Sequence, residues 1–409
     1  MNRREFLKAA ALSSMIFMPG VSGWAFGGSN SDVNTKKLIV ILLRGGIDGL
    51  NVVIPYGDPN YYSLRPTIAV SKPGTPNGAI DLNSYFGLHP AMNPLMPYWQ
   101  DKSLAFVHAS GSPDPTRSHF DAQDYMETGL LGGKFSSTGW LNRLVGVIPN
   151  QHSPVQALSV GPILPRIFTG PAPVATVENA KGPTNLFIDR PQIAQAFQSM
   201  YNGTGDIDMA FAEGMAAHKT INTALSAPQQ QEQVMANRGA PLPTSSFGRQ
   251  LANLFEKDPT VQVAFIDFGG WDTHIGEGAG KGQLANRLTP LASGLADLID
   301  GLGSMYADTS IVVMSEFGRT AKENGNGGTD HGHGNVMWLM GGGINGGQVY
   351  GRWSSLANSD LHEGRDLPTS TDFRNVLSSV LSEQMNVSKK AVEQVFPGFS
   401  DNRNPFTTA

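Results

Sequence analysis

Five short stretches of consecutive apolar residues recur along the chain: "KLIVILL", "SLAFVHA", "VQVAFIDF", "TSIVVMS" and "NVMWLMGG". Uninterrupted apolarity over so few residues predicts strands buried on both faces rather than half-exposed ones, which would alternate. Between the strands lie helical patterns. The longest predicted helix runs from Gln283 to Tyr306, with Leu284, Leu288, Leu291, Leu295, Leu298 and Leu302 spaced by three and four into one apolar stripe. Pro290 is expected to bend this helix or to mark its true start. Strands alternating with amphipathic helices predict an α/β architecture, a mostly parallel sheet sandwiched between helices.

The polar residues fall where these strands end. "KLIVILL" runs into "RGGIDGLN", with Arg44 and Asp48, and "LAFVHA" runs into "SGSPDPTRSHFDAQD", with Thr116 and Ser118. "VAFIDF" is followed by "GGWDTHIG", carrying Asp272 and His274, and "IVVMS" by "EFGRT", carrying Glu316 and Arg319. Open α/β sheets bind ligands beyond the carboxyl ends of their strands, so these four clusters are expected to converge there. A fifth cluster, "GTDHGHGN", with Asp330, His331 and His333, precedes its strand. It is expected at the same edge only if its loop folds back. A polar turn with exposed histidines remains the competing reading. Asp48 and Ser118 likewise have plain alternatives, as a turn residue and a helix cap. Trp271 reads as packing, and His89, His108, His152, His218 and His362 lie outside the clusters. "GGGINGG" lacks the Lys-Ser/Thr ending of a phosphate loop and any dinucleotide fingerprint, so no nucleotide cofactor is expected.

The N-terminus "MNRREFLKAAALSSMIFMPGVSGWA" has a charged start, an apolar stretch and small residues near Ala25, the order of an export signal. Arg3 and Arg4 followed by Phe6, Leu7 and Lys8 match its twin-arginine form, an address read by the export machinery and not an anchor. The apolar run, broken by Ser13, Ser14, Pro19 and Gly20, falls short of the roughly 20 residues a spanning helix needs, so no stable membrane anchor is expected. The expected location is periplasmic or secreted. The absence of cysteine fits an oxidising compartment and confines any metal to oxygen and imidazole ligands. The formal charge of −5 falls to about −7 once the signal is removed, which argues against nucleic acid as a partner.

The ordered set "LLRGGIDGLN", "TRSHFDAQDYMETG", "GGWDTH", "SEFGRT" and "GTDHGHGN" resembles the bacterial domain of unknown function 1501 family, which in turn resembles the alkaline phosphatase superfamily of phosphatases, sulfatases, phosphodiesterases and phosphoglycerate mutases. The resemblance implies an alkaline-phosphatase-like domain over 37–409, with a helical or loop excursion at 190–250, after a signal (1–25) and a polar spacer (26–36). It also implies an Asp after the first strand, matched by Asp48, and a nucleophile heading a later helix, matched by Ser118 with Thr116 second. Asp272 and His274 match a third cluster, although one residue separates them where the superfamily has three. Glu316 stands at an Asp-His position whose imidazole is replaced by Phe317, and His331 or His333 supplies a closing ligand.

Together these imply a divalent metal such as zinc or manganese on Asp48, Asp272, His274, Glu316, Asp330, His331 or His333, with Arg44 or Arg319 holding an ester oxygen. A formylglycine sulfatase is not expected, because Pro113 stands where its modified residue would be. Two functions follow: hydrolysis of a small phosphate or, second, sulfate ester, or a catalytically degenerate protein that binds an envelope polymer or a partner protein. Export has its own test. Arg3→Lys with Arg4→Lys is expected to leave unprocessed protein in the cytoplasm, read by cell fractionation; normal processed periplasmic protein would refute the twin-arginine reading.

Overall fold

The computed structural model describes residues 36–131, 136–149, 155–177, 190–226, 246–400 and 403–409; the signal and most of the spacer lie outside them, as does part of the expected excursion. Its strands are β1 (Lys37–Leu43), β2 (Val53–Ile54), β3 (Ile80–Asp81), β4 (Gly87–Leu88), β5 (Leu104–Gly111), β6 (Ala157–Val160), β7 (Ala175–Val177), β8 (Val263–Phe268), β9 (Thr309–Ser315), β10 (Asn335–Gly341), β11 (Gln348–Tyr350) and β12 (Thr371–Asp372). Nine of them form one sheet in the order β11-β5-β10-β9-β1-β8-β6-β7, with β12 beside β5. The five predicted strands are all present as its central members. The short β6, β7, β11 and β12 carry too few residues to stand out as apolar runs.

Alternation along β1 shows why its sequence is apolar throughout. Ile39, Ile41 and Leu43 enter one core layer, whereas Leu38, Val40 and Leu42 enter the other, each essentially without exposure. Covering helices Ser246–Lys257 and Gln283–Leu302 close the first layer, and Trp140–Val147 with Phe373–Glu383 close the second. The predicted leucine stripe is buried along the whole of Gln283–Leu302. Pro290 lies inside this helix, so the true start is Gln283, a full two turns earlier; the tail from Gly303 to Asp308 tightens into a 3-10 turn. A Cβ on Gly248 would stand 1.9 Å from the carbonyl oxygen of Gly294, so glycine lets the two helices of the first layer touch backbone to backbone.

All pairings of β1 are parallel, to β8 and β9, and within the nine-stranded sheet β10 alone runs against its neighbours, antiparallel to both β5 and β9. This reversal corrects one expectation. The loop of residues 327–334 needs no fold-back, because the start of an antiparallel strand already lies at the carboxyl edge of the parallel ones. Among the described residues no helix is long and apolar enough to cross a membrane. Leu295 is fully buried between the sheet and the first helical layer. Leu295→Ala is expected to cost about 2–5 kcal/mol of unfolding free energy, measured by denaturant titration, through lost transfer energy and the cavity left behind.

Candidate metal centre

Five segments meet at that edge: residues 44–46 after β1, 115–123 after β5, 271–277 after β8, 316–319 after β9 and 327–333 before β10. His119, in the first turn of the helix His119–Thr128, is held at Nδ1 by Glu316 Oε1 at 2.8 Å. Its Nε2 is buried without a hydrogen-bond partner and faces Asp272 Oδ2 at 3.5 Å. His331 Nδ1 donates to the carbonyl of Arg117 at 2.8 Å, which fixes the hydrogen on Nδ1 and leaves Nε2 as a lone pair. That lone pair lies 3.2 Å from Asp272 Oδ1 and 3.0 Å from His274 Nε2. His274 in turn turns Nδ1 toward Asp330 Oδ1 at 3.3 Å and Nε2 toward Asp272 Oδ1 at 3.0 Å.

One ligand atom from each of His119, Asp272 and His331 lies within 4.8 Å of the others, with His274 alongside. Two imidazole nitrogens 3.0 Å apart repel unless a proton or a cation lies between them. The orphaned His119 Nε2 has the same need. An imidazole-rich set with one carboxylate is the donor chemistry of zinc and related first-row ions. Glu316, fully buried, also accepts from Gly45 N at 2.7 Å, Gln123 Nε2 at 2.9 Å and Ser315 Oγ at 3.0 Å. A carboxylate holding the far nitrogen of a histidine is the usual outer support of a metal ligand.

The electrostatics follow. The Glu316 hydrogen bond, with its charge and that of Asp272, outweighs burial and raises the His119 pKa above the ordinary histidine value. Burial lowers that of His331. Burial alone would raise Asp272, but Arg319, His274 and His331 together hold it below the usual carboxylate range, as His119, Gln123 and Gly45 do for Glu316. A proton and a divalent cation compete for the same negative field. Phe317, where the superfamily pattern has an imidazole, packs its ring 4.8 Å from that of His119 and 4.9 Å from that of His331, giving the cluster an apolar wall.

The structure brings Asp272, His274, Asp330 and His331 together and sets the other expected residues apart. Asp48 is buried in an ion pair with Arg65 and shares a hydrogen bond with Glu277, so it stands outside the cluster as a structural anion. Glu316 supports a histidine instead of presenting an open oxygen. His333 turns Nδ1 to Asp366 Oδ2 at 2.8 Å and Nε2 to the carbonyl of Pro115 at 3.2 Å, so both of its nitrogens are engaged away from the cluster. Arg44 is committed to Asp267, Glu127 and Gln123. Arg319, without side-chain exposure, is committed to Asp272 and to the carbonyls of Gly45, Gly46, Trp271 and Thr329. Arg319 is therefore not free to hold an ester oxygen, whereas Arg44 spends Nε and Nη1 in its bonds and keeps part of its side chain exposed. Ser118 occupies the N-cap of the helix it was expected to open, without a side-chain capping bond, and Thr116 Oγ1 accepts from Ser118 N at 3.2 Å. His119 was absent from the expected set; the signal for it was an imidazole one place beyond the serine, at the head of the same helix.

Comparison with known proteins adds the family. No curated protein matches the chain. Among solved structures, the crystal structure of Ps i-CgsB in complex with k-i-k-neocarrahexaose is similar at 12% identity and a TM-score of 0.37, over 90% of this chain and 77% of that one. The crystal structure of the C-terminal periplasmic domain of EcEptC from Escherichia coli, in complex with Zn, is similar at 10% identity and a TM-score of 0.35, over 91% and 90%. These likenesses are too distant to bear on the chemistry of the site. The sequence model of the family described as "Protein of unknown function (DUF1501)" matches residues 35–396, nearly the whole chain, and the protein belongs to that family.

Proposed function

We propose that the protein is a periplasmic metal-dependent hydrolase of a phosphate ester, with a sulfate ester as the second substrate class. The observation that carries this reading is the buried, unpartnered Nε2 of His119 facing Asp272 Oδ2 and His331, with Asp272 Oδ1 paired to Arg319 and His331 Nδ1 bonded to the Arg117 carbonyl. In it, His119, Asp272 and His331 hold the cation, with His274 as a fourth donor. A divalent cation there supplies Lewis acidity toward an ester oxygen. Glu316 and the Arg117 carbonyl fix the two imidazoles so that both present Nε2, and Arg319 holds the Asp272 carboxylate in place. Phe317 keeps water from one side of the cluster. Ser118, one residue before His119 and free of a capping bond, supplies the attacking oxygen.

One observation favours a binding protein instead: Arg319, one of the two arginines expected to hold an ester oxygen, is spent on internal contacts. A degenerate protein that binds an envelope polymer or a partner would bind metal without turnover. Metal analysis of exported protein, paired with phosphate-ester and sulfate-ester assays, separates the two.

His119→Ala and His331→Ala are each expected to abolish stoichiometric metal, measured by elemental analysis, together with any ester hydrolysis. His333→Ala is expected to leave metal content unchanged. Wild-type metal in both of the first two variants would sink the centre. Glu316→Gln keeps the shape but removes the charge behind His119, and is expected to weaken metal binding by about 10–100-fold in a competitive chelator titration.

A further inference from the structure

Behind the cluster, the loops of residues 271–277 and 326–331 run side by side. Gly276 N donates to Asn326 O at 3.0 Å, Glu277 N to Gly327 O at 2.8 Å and Thr329 N to Thr273 O at 3.2 Å. The approach is close enough that a Cβ on Gly328 would meet the carbonyl carbon of His274 at 2.4 Å. One buried side chain reaches into both loops. Glu277 Oε2 accepts from Thr273 Oγ1 at 2.9 Å and from Thr329 Oγ1 at 3.1 Å. Thr273 sits between Asp272 and His274, and Thr329 comes just before Asp330 and His331, so the two hydroxyls belong to the two backbones that deliver these groups.

Glu277 is itself anchored from the other side. Its Oε1 accepts from Asn51 Nδ2 at 3.1 Å, and Asn51 Oδ1 accepts from Tyr61 Oη at 2.7 Å and Arg65 Nη1 at 2.8 Å. Arg65 also pairs with Asp48, and all of these residues are fully buried. We propose that Glu277 is a positioning residue that sets the spacing between the Asp272–His274 loop and the Asp330–His331 loop, and so tunes the affinity of the cation site without touching the cation. The proposal rests on the metal-centre reading above.

The charge state agrees with that role. Glu277 and Asp48 share one hydrogen bond, with the guanidinium of Arg65 paired to Asp48 and the charge of Arg319 also acting on Asp48. Burial first, and the Asp48 carboxylate second, push the Glu277 carboxyl well above its ordinary value, so it holds the proton of the pair. A neutral acid leaves the field at the cluster to Asp272 and Glu316, and its second oxygen remains free to gather the two threonine hydroxyls. Glutamine reproduces the carbonyl that accepts from Thr273 and Thr329 and the donor toward Asp48, giving up only the Asn51 contact.

The test measures zinc affinity by chelator competition and apo-protein melting in the full exported chain. Zinc is a suitable probe even for a site that uses manganese, since at a given nitrogen and oxygen site it binds more tightly. Glu277→Ala and the double variant Thr273→Val with Thr329→Val are expected to bind zinc about 10–100-fold more weakly than wild type, the range seen on losing outer-shell partners. The valine pair keeps shape and burial but leaves Glu277 Oε2 without these donors, so a modest drop in apo melting temperature is expected beside the fall in affinity, and affinity is read on variants that still melt cooperatively. Glu277→Gln is expected to restore affinity to within about threefold of wild type, on the order of the loss of one hydrogen bond or less. Wild-type affinity in the alanine and valine variants, with zinc bound by wild type, overturns the role of Glu277 alone. A wild type that binds no zinc overturns the metal centre, and this inference with it.

Discussion

A single buried guanidinium holds the working edge together. Arg319 has no exposed side-chain surface, and its donors reach the carbonyls of Gly45 and Gly46 after β1, Trp271 after β8, Thr329 before β10, and the Asp272 carboxylate. A buried cation is tolerable only when its donors are matched by acceptors, and here four of them are backbone carbonyls of the loops, of which Trp271 O also accepts from Thr273 N at 3.0 Å. The arrangement therefore satisfies the loops and the charge together. It also explains Gly45: a Cβ there would stand 2.7 Å from the backbone nitrogen of Asp272 and push the two loops off the guanidinium.

From this anchor the polar residues form two tiers. The outer tier carries nitrogen and oxygen atoms turned toward one another: His119, Asp272, His274 and His331. The inner tier braces them: Glu316 behind His119, the Arg117 carbonyl behind His331, Arg319 on Asp272 Oδ1, the oxygen that also faces His274 and His331, and Glu277 beneath the loops of His274 and His331. The inner carboxyls differ in state for a physical reason. Glu316 is held below the usual carboxylate range by the His119, Gln123 and Gly45 donors against its burial, whereas burial and the neighbouring Asp48 carboxylate push Glu277 well above it. Buried acids next to each other seldom ionise together.

The parts of this structure written in short-range periodicity were legible in the sequence. Runs such as "KLIVILL" and the leucine spacing of Gln283–Leu302 encode burial directly, and both elements appear where the pattern places them. Strand direction is not encoded that way. The pattern of β10 is the same whether it runs parallel or antiparallel, yet its reversal alone carries residues 327–333 to the edge where the other loops end. Partner choice was equally hidden. Asp48 lies in a glycine-rich loop after the first strand, as an outward-facing ligand would, but Arg65, seventeen positions on, claims it. His119 was overshadowed by its neighbour Ser118, because a helix cap and a metal ligand can occupy successive positions and sequence gives no rank between them.

The two histidines of "DHGH" show how a local rule and a long-range contact divide the work. The segment is extended, with Gly332 N donating to Gly318 O and Gly318 N to His333 O at 2.8 Å each, so residues 331 and 333 project to the same side. They meet alternate carbonyls of the segment opposite, Arg117 for His331 and Pro115 for His333. Spacing of two thus makes them equivalent up to this point, and no inspection of the motif distinguishes them. The difference is which nitrogen each spends on its carbonyl. His331 spends Nδ1 and turns Nε2 toward Asp272 and His274; His333 spends Nε2 and turns Nδ1 into the buried Asp366, which Arg117 also holds. One member of the pair is left with a lone pair facing other ligand atoms, and the other is consumed in packing the loop that presents its twin.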